Sequence, residues 1–171
     1  MLVAIVLLRR PLAQLIPTIT SFKFKELAIE FGRRVEDAAV EAAVVVDTLR
    51  APETRELAAP TSRLFALAES SPRAAILEAW LTLEATALKT VQAMKLRGLL
   101  GAIPQSAHQA LLALDRSELL SEAARATIRD LRNLRNEAVH YPDFALTADA
   151  ARTYVRLAEA MADYLARLSA A

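Results

Sequence analysis

Over most of the chain, apolar positions recur at helical rather than strand-like spacing. The clearest stripe is Ile76, Trp80, Leu83, Ala87, Val91 and Met94, which repeats at near-heptad intervals and predicts a helix of about six turns. Ser71 stands where a cap is needed, and Pro72 suits the first turn, where a missing N–H costs nothing. Gly98, Gly101 and Pro104 break the pattern, and a shorter helix is expected over roughly 105–115. Asp115 to Glu118 has the spacing of a capping box for a helix that runs toward His140. Pro142 then stops that helix by forcing Tyr141 away from helical angles. Thr147 is placed to cap a last helix with Ala150, Tyr154, Leu157, Met161, Tyr164, Leu165 and Leu168 on one side. Residues 70–171 thus predict four helices, long-short-long-long, whose short connections close into a bundle.

Upstream the pattern is less regular. Residues 33–50 predict a helix with Val35, Ala38, Ala39, Ala42, Val45, Val46 and Leu49 as its apolar stripe, ended by Ala51-Pro52. A connector over 51–70 holds one short helix around Ser62–Glu69. Between Phe22 and Gly32 apolar and charged residues alternate with a period near two, which predicts a short extended, basic segment. Residues 2–8 are an unbroken apolar run followed by Arg9, Arg10 and Pro11. That run is far short of the ~20 positions needed to span a bilayer. It reads either as the end of a membrane helix with its cytoplasmic basic anchor, or as a buried or interfacial N-terminal helix. The chain therefore divides into an apolar and basic segment over 1–32, a helix with its connector over 33–69, and the bundle over 70–171.

Composition narrows the class without pointing to a substrate. Hydrophobic residues are 54% of the chain but aromatics only 5%, so the apolar content is mainly strong helix formers, and three glycines interrupt it. The expected fold is all-α. The chain carries 21 basic and 20 acidic residues, so any contact with RNA has to come from a local patch. With no cysteine, disulfides, zinc–thiolate sites and thiol nucleophiles are excluded. His108 and His140 lack ligand spacing, so neither a metal nor another cofactor is expected.

Candidate chemistry concentrates between Leu131 and His140. On a helix, Ile128, Leu131, Leu134, Ala138 and Val139 define an apolar face, and Arg135 falls inside that arc. A guanidinium aimed at a core is costly unless it is paired or opens onto a cleft. Arg132, Asn136 and His140 follow one another at four-residue spacing and form a polar stripe beside it. Arginine holds a phosphate by its planar fork, and histidine moves protons near neutral pH. RNA supplies its own nucleophile, the 2′-hydroxyl. These parts suit phosphodiester cleavage. Taken from chemistry alone, a structural role is the stronger reading, in which Arg135 pairs inside the bundle with an acid such as Glu84 or Glu78 and His140 is a surface residue at the helix end.

Arg135-Asn136-x-x-x-His140, at the end of the third bundle helix and before a capped fourth, resembles the HEPN family signature of arginine, a polar residue, three variable positions and histidine. The resemblance covers roughly residues 70–169 in helix order and motif position. The N-terminal apolar run, its basic stretch and the segment from Phe22 to Gly32 also resemble membrane-tethered bacterial proteins carrying such a domain. The resemblance implies a four-helix HEPN-like bundle and a metal-independent endoribonuclease acting in stress or defence. It implies a homodimer whose two motifs meet in one cleft. Arg135 would then bind the phosphate, Asn136 would position it or the histidine, and His140 would act as acid or base, with Arg132, Glu84 and Tyr141 in support. Family members without catalysis imply the alternative of a helical interaction module with a protein partner. HEPN toxins under nucleotidyltransferase control carry His-x-Tyr, whereas here Tyr141 directly follows His140, which speaks against that kind of antitoxin. The expected location is the cytoplasm, or the cytoplasmic face of a membrane whose surface is contacted through residues 1–25.

Overall fold

The computed structural model describes residues 28–43, 59–96, 104–140 and 145–170, and among these the protein forms six helices and no strand. They are α1 (28–43), α2 (Ala59–Ser70), α3 (Pro72–Leu96), α4 (Ala107–Arg116), α5 (Glu122–His140) and α6 (Ala148–Ala170). The fold is an all-α helical bundle. Helix α3 is its axis: it packs most extensively against α6 and also borders α2, α4 and α5. Every residue of the predicted stripe from Ile76 to Met94 is buried. A single hydrophobic core draws side chains from all six helices. Its small members, such as Ala79 and Ala87 on α3 and Ala151 and Ala158 on α6, are how a chain poor in aromatics fills an interior at native density. The buried Thr90 hydroxyl is satisfied across this seam by donating to the Leu165 carbonyl at 3.0 Å.

Local chemistry sets most helix ends where the residues predict them. Ser71 separates α2 from α3: its N–H donates to the Leu67 carbonyl, and its own carbonyl accepts from the Ala75 N–H. Pro72, with no N–H to give, marks the break between two nearly continuous helices. Ser106 caps α4 by accepting from the Gln109 N–H at 3.2 Å. Thr147 caps α6 in the same way, its hydroxyl accepting from the Ala150 N–H at 3.2 Å. Thr147→Ala removes that acceptor and is expected to cost about 1 kcal/mol of unfolding free energy in urea denaturation. An unchanged midpoint would mean that water replaces the cap.

Three local expectations need correction. Residues 28–32 belong to α1 instead of an extended segment: Phe31, Val35, Ala38 and Ala42 are buried at helical spacing, while Ile29 is 67% exposed. In a strand Ile29 and Phe31 would share a face; residues 22–27 lie outside the described part. The capping box at Asp115 and Glu118 does not form. Asp115 is in the last turn of α4 and pairs with Arg129 at 3.0 Å, while Ser121 caps α5 by accepting from the Ala124 N–H at 3.2 Å. Val139, expected on the core face of α5, is 43% exposed, and Ala124 and Thr127 complete that face instead.

Among the described residues, no helix is long and apolar enough to cross a membrane. Residues 1–27, with the apolar run and the basic cluster, lie outside the described part, as do residues 44–50.

Candidate functional site

Helix α5 carries the candidate motif. Its buried face consists of Ala124, Thr127, Ile128, Leu131, Leu134 and Ala138. Helical geometry places Arg135 inside that arc, so its side chain has to cross the seam between α5 and α3. It does so with partial compensation. The guanidinium carbon lies 5.2 Å from the centroid of the Trp80 ring. Nη1 donates to Asn136 Oδ1 at 2.8 Å, and Nη2 lies 3.9 Å from Glu84 Oε1. The Nε–H is buried without an acceptor. The side chains of Arg135 and Glu84 are 27% and 16% exposed, so this pair is neither a surface ion pair nor a sealed one. Glu84 is thus the acid facing Arg135, whereas Glu78 pairs with Arg63 of α2.

Tyr154 of α6 forms the floor of this cluster. It is fully buried, and its hydroxyl donates to the Leu131 carbonyl at 3.0 Å, one helical turn before Arg135. Burial pushes the phenol far above its ordinary range; Arg135 pulls the other way and Glu84 pushes with the burial. Tyr154 is therefore a neutral hydrogen-bond donor that fixes the backbone beneath Arg135. Sequence reasoning placed Trp80 and Tyr154 in the core as packing residues and missed their part in seating the arginine. The available signal was the four-residue spacing of Trp80 and Glu84, which puts an aromatic face and a carboxylate on adjacent turns of α3.

The remaining motif residues go elsewhere. Residues 135 and 140 are five apart, which turns their side chains about 140° from one another around the helix axis. His140 is exposed at the end of α5, on the side away from Leu131. Asn136 bridges in part, half-buried and bonded to Arg135 while lying on the stripe that leads to His140. Arg132 is half-buried on the same stripe, one turn before Asn136. Tyr141 lies outside the described residues.

The two flanks of α5 differ in charge. On one, Arg125, Arg129 and Arg132 border a small opening beside Trp80. On the other, an opening of about 130 Å³ toward α1 is lined by Asp37, Glu41 and Asp130 with Arg34, and Arg34 also pairs with Glu137. Only the arginine flank suits an anionic ligand. Among the described residues, no three His, Cys, Asp or Glu side chains converge as metal ligands. Compared with known protein families, curated proteins and solved structures, the chain matches none.

Proposed function

We propose that the protein is a metal-independent endoribonuclease of HEPN type, acting as a homodimer. The observation that carries this reading is the polar edge of α5, where Arg132, Asn136 and exposed His140 lie in line beside a partly exposed Arg135. In the reaction, His140 takes a proton from the RNA 2′-hydroxyl or returns one to the departing 5′-oxygen. The 2′-oxygen bonds to phosphorus as the bond to the 5′-oxygen breaks, and Arg135 offsets the charge that builds on the phosphoryl oxygens. Within one chain Arg135 and His140 diverge, so a second copy is needed to bring a histidine to the arginine's side of the cleft. A two-fold pairing supplies that symmetrically. Stress or defence is the setting this activity suits. The test is incubation of purified protein with mixed RNA in excess EDTA. Cleavage leaving 2′,3′-cyclic phosphate ends is expected, and intact RNA from a folded dimer would refute the proposal.

A second reading has its own support. The contacts of Arg135 with Trp80, Asn136 and Glu84 are those of an ion pair that fixes α5 against α3, as in a non-catalytic interaction module with a protein partner. Membrane association through residues 1–25 belongs to that reading. The double variant Arg135→Met/Glu84→Gln separates the two. Replacing both partners leaves no uncompensated charge, so it should unfold at or above the wild-type urea midpoint. Loss of RNA cleavage in that stable variant supports the ribonuclease; a variant unfolding well below wild type would show that the pair is worth more than its hydrophobic substitute.

A further inference from the structure

Helix α1 carries a second pattern on the side away from the core. Phe31, Val35, Ala38 and Ala42 anchor the helix in the bundle. On the opposite side, helical geometry places Ile29, Arg33, Glu36 and Val40 within about 60° of one another. All four are exposed. Ile29 at 67% and Val40 at 73% are the most exposed large hydrophobic side chains among the described residues. One exposed aliphatic residue is ordinary on a protein surface. Here two of them bracket a cation and an anion on a single line. Neither Arg33 nor Glu36 makes a hydrogen bond, ion pair or ring contact among the described residues. Gly32 borders the line, and a Cβ there would meet nothing within 4 Å, so the bundle leaves this flank open.

The line is complementary to its own reverse. Residues 29 and 40 are centred between positions 34 and 35, and so are residues 33 and 36. We propose that α1 pairs antiparallel with α1 of a second copy of this chain, about a two-fold axis beside that midpoint. Ile29 then packs on the partner's Val40, Arg33 meets the partner's Glu36, and each contact occurs twice. Charge selects this occupant and this direction. A parallel copy would set arginine against arginine and glutamate against glutamate. A chain of different sequence would have to reproduce the reversed pattern, which a second copy carries of necessity. One helix face from each copy is a small interface, so the pair is weak and concentration-dependent. It goes beyond the ribonuclease reading, whose pairing runs through the motif on α5; no motif residue lies on this face.

The chain has no cysteine, so introduced thiols report on this contact alone. Positions 29 and 40 lie about 16 Å apart along one helix, too far for a disulfide within one chain. The full-length double variant Ile29→Cys/Val40→Cys is expected to form a disulfide-linked dimer under mild oxidation. Ile29→Cys alone, its two thiols held at opposite ends of the pair, should stay unlinked. A double variant that stays unlinked overturns the pairing. Linkage of Ile29→Cys alone to the same extent overturns the antiparallel register.

Charge reversal tests the polar contact without thiols. Arg33→Glu sets carboxylates against carboxylates and is expected to weaken association in sedimentation about tenfold or more. Adding Glu36→Arg to it restores the complement and should return the affinity close to the wild-type value. Equal affinity in all three proteins overturns the charge pairing. A wild-type dimer that the thiols fail to capture forms through another surface, which removes this interface and leaves the motif pairing standing. No arm requires RNA cleavage, so a captured pair in a protein inactive on RNA separates failure of the ribonuclease reading from failure of this one.

Discussion

Trp80→Ala is expected to cost about 3–5 kcal/mol of unfolding free energy. Three losses add at this position. The indole is buried in the seam where α3 meets α5, so truncation removes its transfer free energy and leaves a cavity that the surrounding helices fill only in part. The Arg135 guanidinium loses the ring 5.2 Å beneath it. The Arg135–Glu84 pair, already long at 3.9 Å, then gains access to water and is screened more strongly. Urea denaturation followed by circular dichroism measures the effect, since the fluorophore is gone, and the midpoint should fall with the slope unchanged. A loss under about 1 kcal/mol would mean that the seam closes without the indole. Trp80→Phe keeps most of the apolar area and an aromatic face for Arg135, and should cost clearly less.

His140→Ala is expected to lower RNA cleavage by about 10²–10⁴-fold while leaving the fold intact. The imidazole is exposed at the end of α5, outside the core, so its removal opens no cavity. A drop in rate with an unchanged unfolding midpoint and unchanged oligomeric state would place the effect in chemistry. The single-turnover rate on RNA in EDTA is the measurement to make, because it isolates bond cleavage from product release. Cleavage that survives the substitution removes His140 from the mechanism. If the wild type itself leaves RNA intact, the pair formed by Arg135 and Glu84 is left with its structural role, and the search moves to a protein partner.

The bundle was legible because its signals are local. Apolar spacing from Ile76 to Met94 and from Ala150 to Leu165 needs only the helical repeat to be read, and both stripes are buried in α3 and α6. Thr147, Ser71 and Pro72 act within one turn of their own positions, so their effects are visible without knowing the fold. The local reading failed where a tertiary contact overrides it. Asp115 does not cap α5, because it is held in α4 by Arg129 from the facing helix, and Ser121, which the local pattern did not single out, supplies the cap. Ile29 and Phe31 alternate with charges as a strand would, but the burial of Val35, Ala38 and Ala42 behind Phe31 favours the helix.

The chain by itself determined an all-α protein, the order and the apolar faces of its long bundle helices, and an arginine forced toward the interior of α5. Which acid meets that arginine was decided only by the packed helices. Glu78 and Glu84 are equally plausible along α3, yet they project to different sides of it, one toward Arg63 on α2 and the other toward Arg135 on α5. The seat made by Trp80 and Tyr154 and the unanswered indole N–H are likewise properties of three helices meeting. Helical periodicity assigns each side chain a direction from its own helix axis. What it finds there depends on the neighbour that hydrophobic burial brings alongside, and that pairing links residues on different helices, as far apart in the chain as Glu84 and Arg135, beyond the reach of any local pattern.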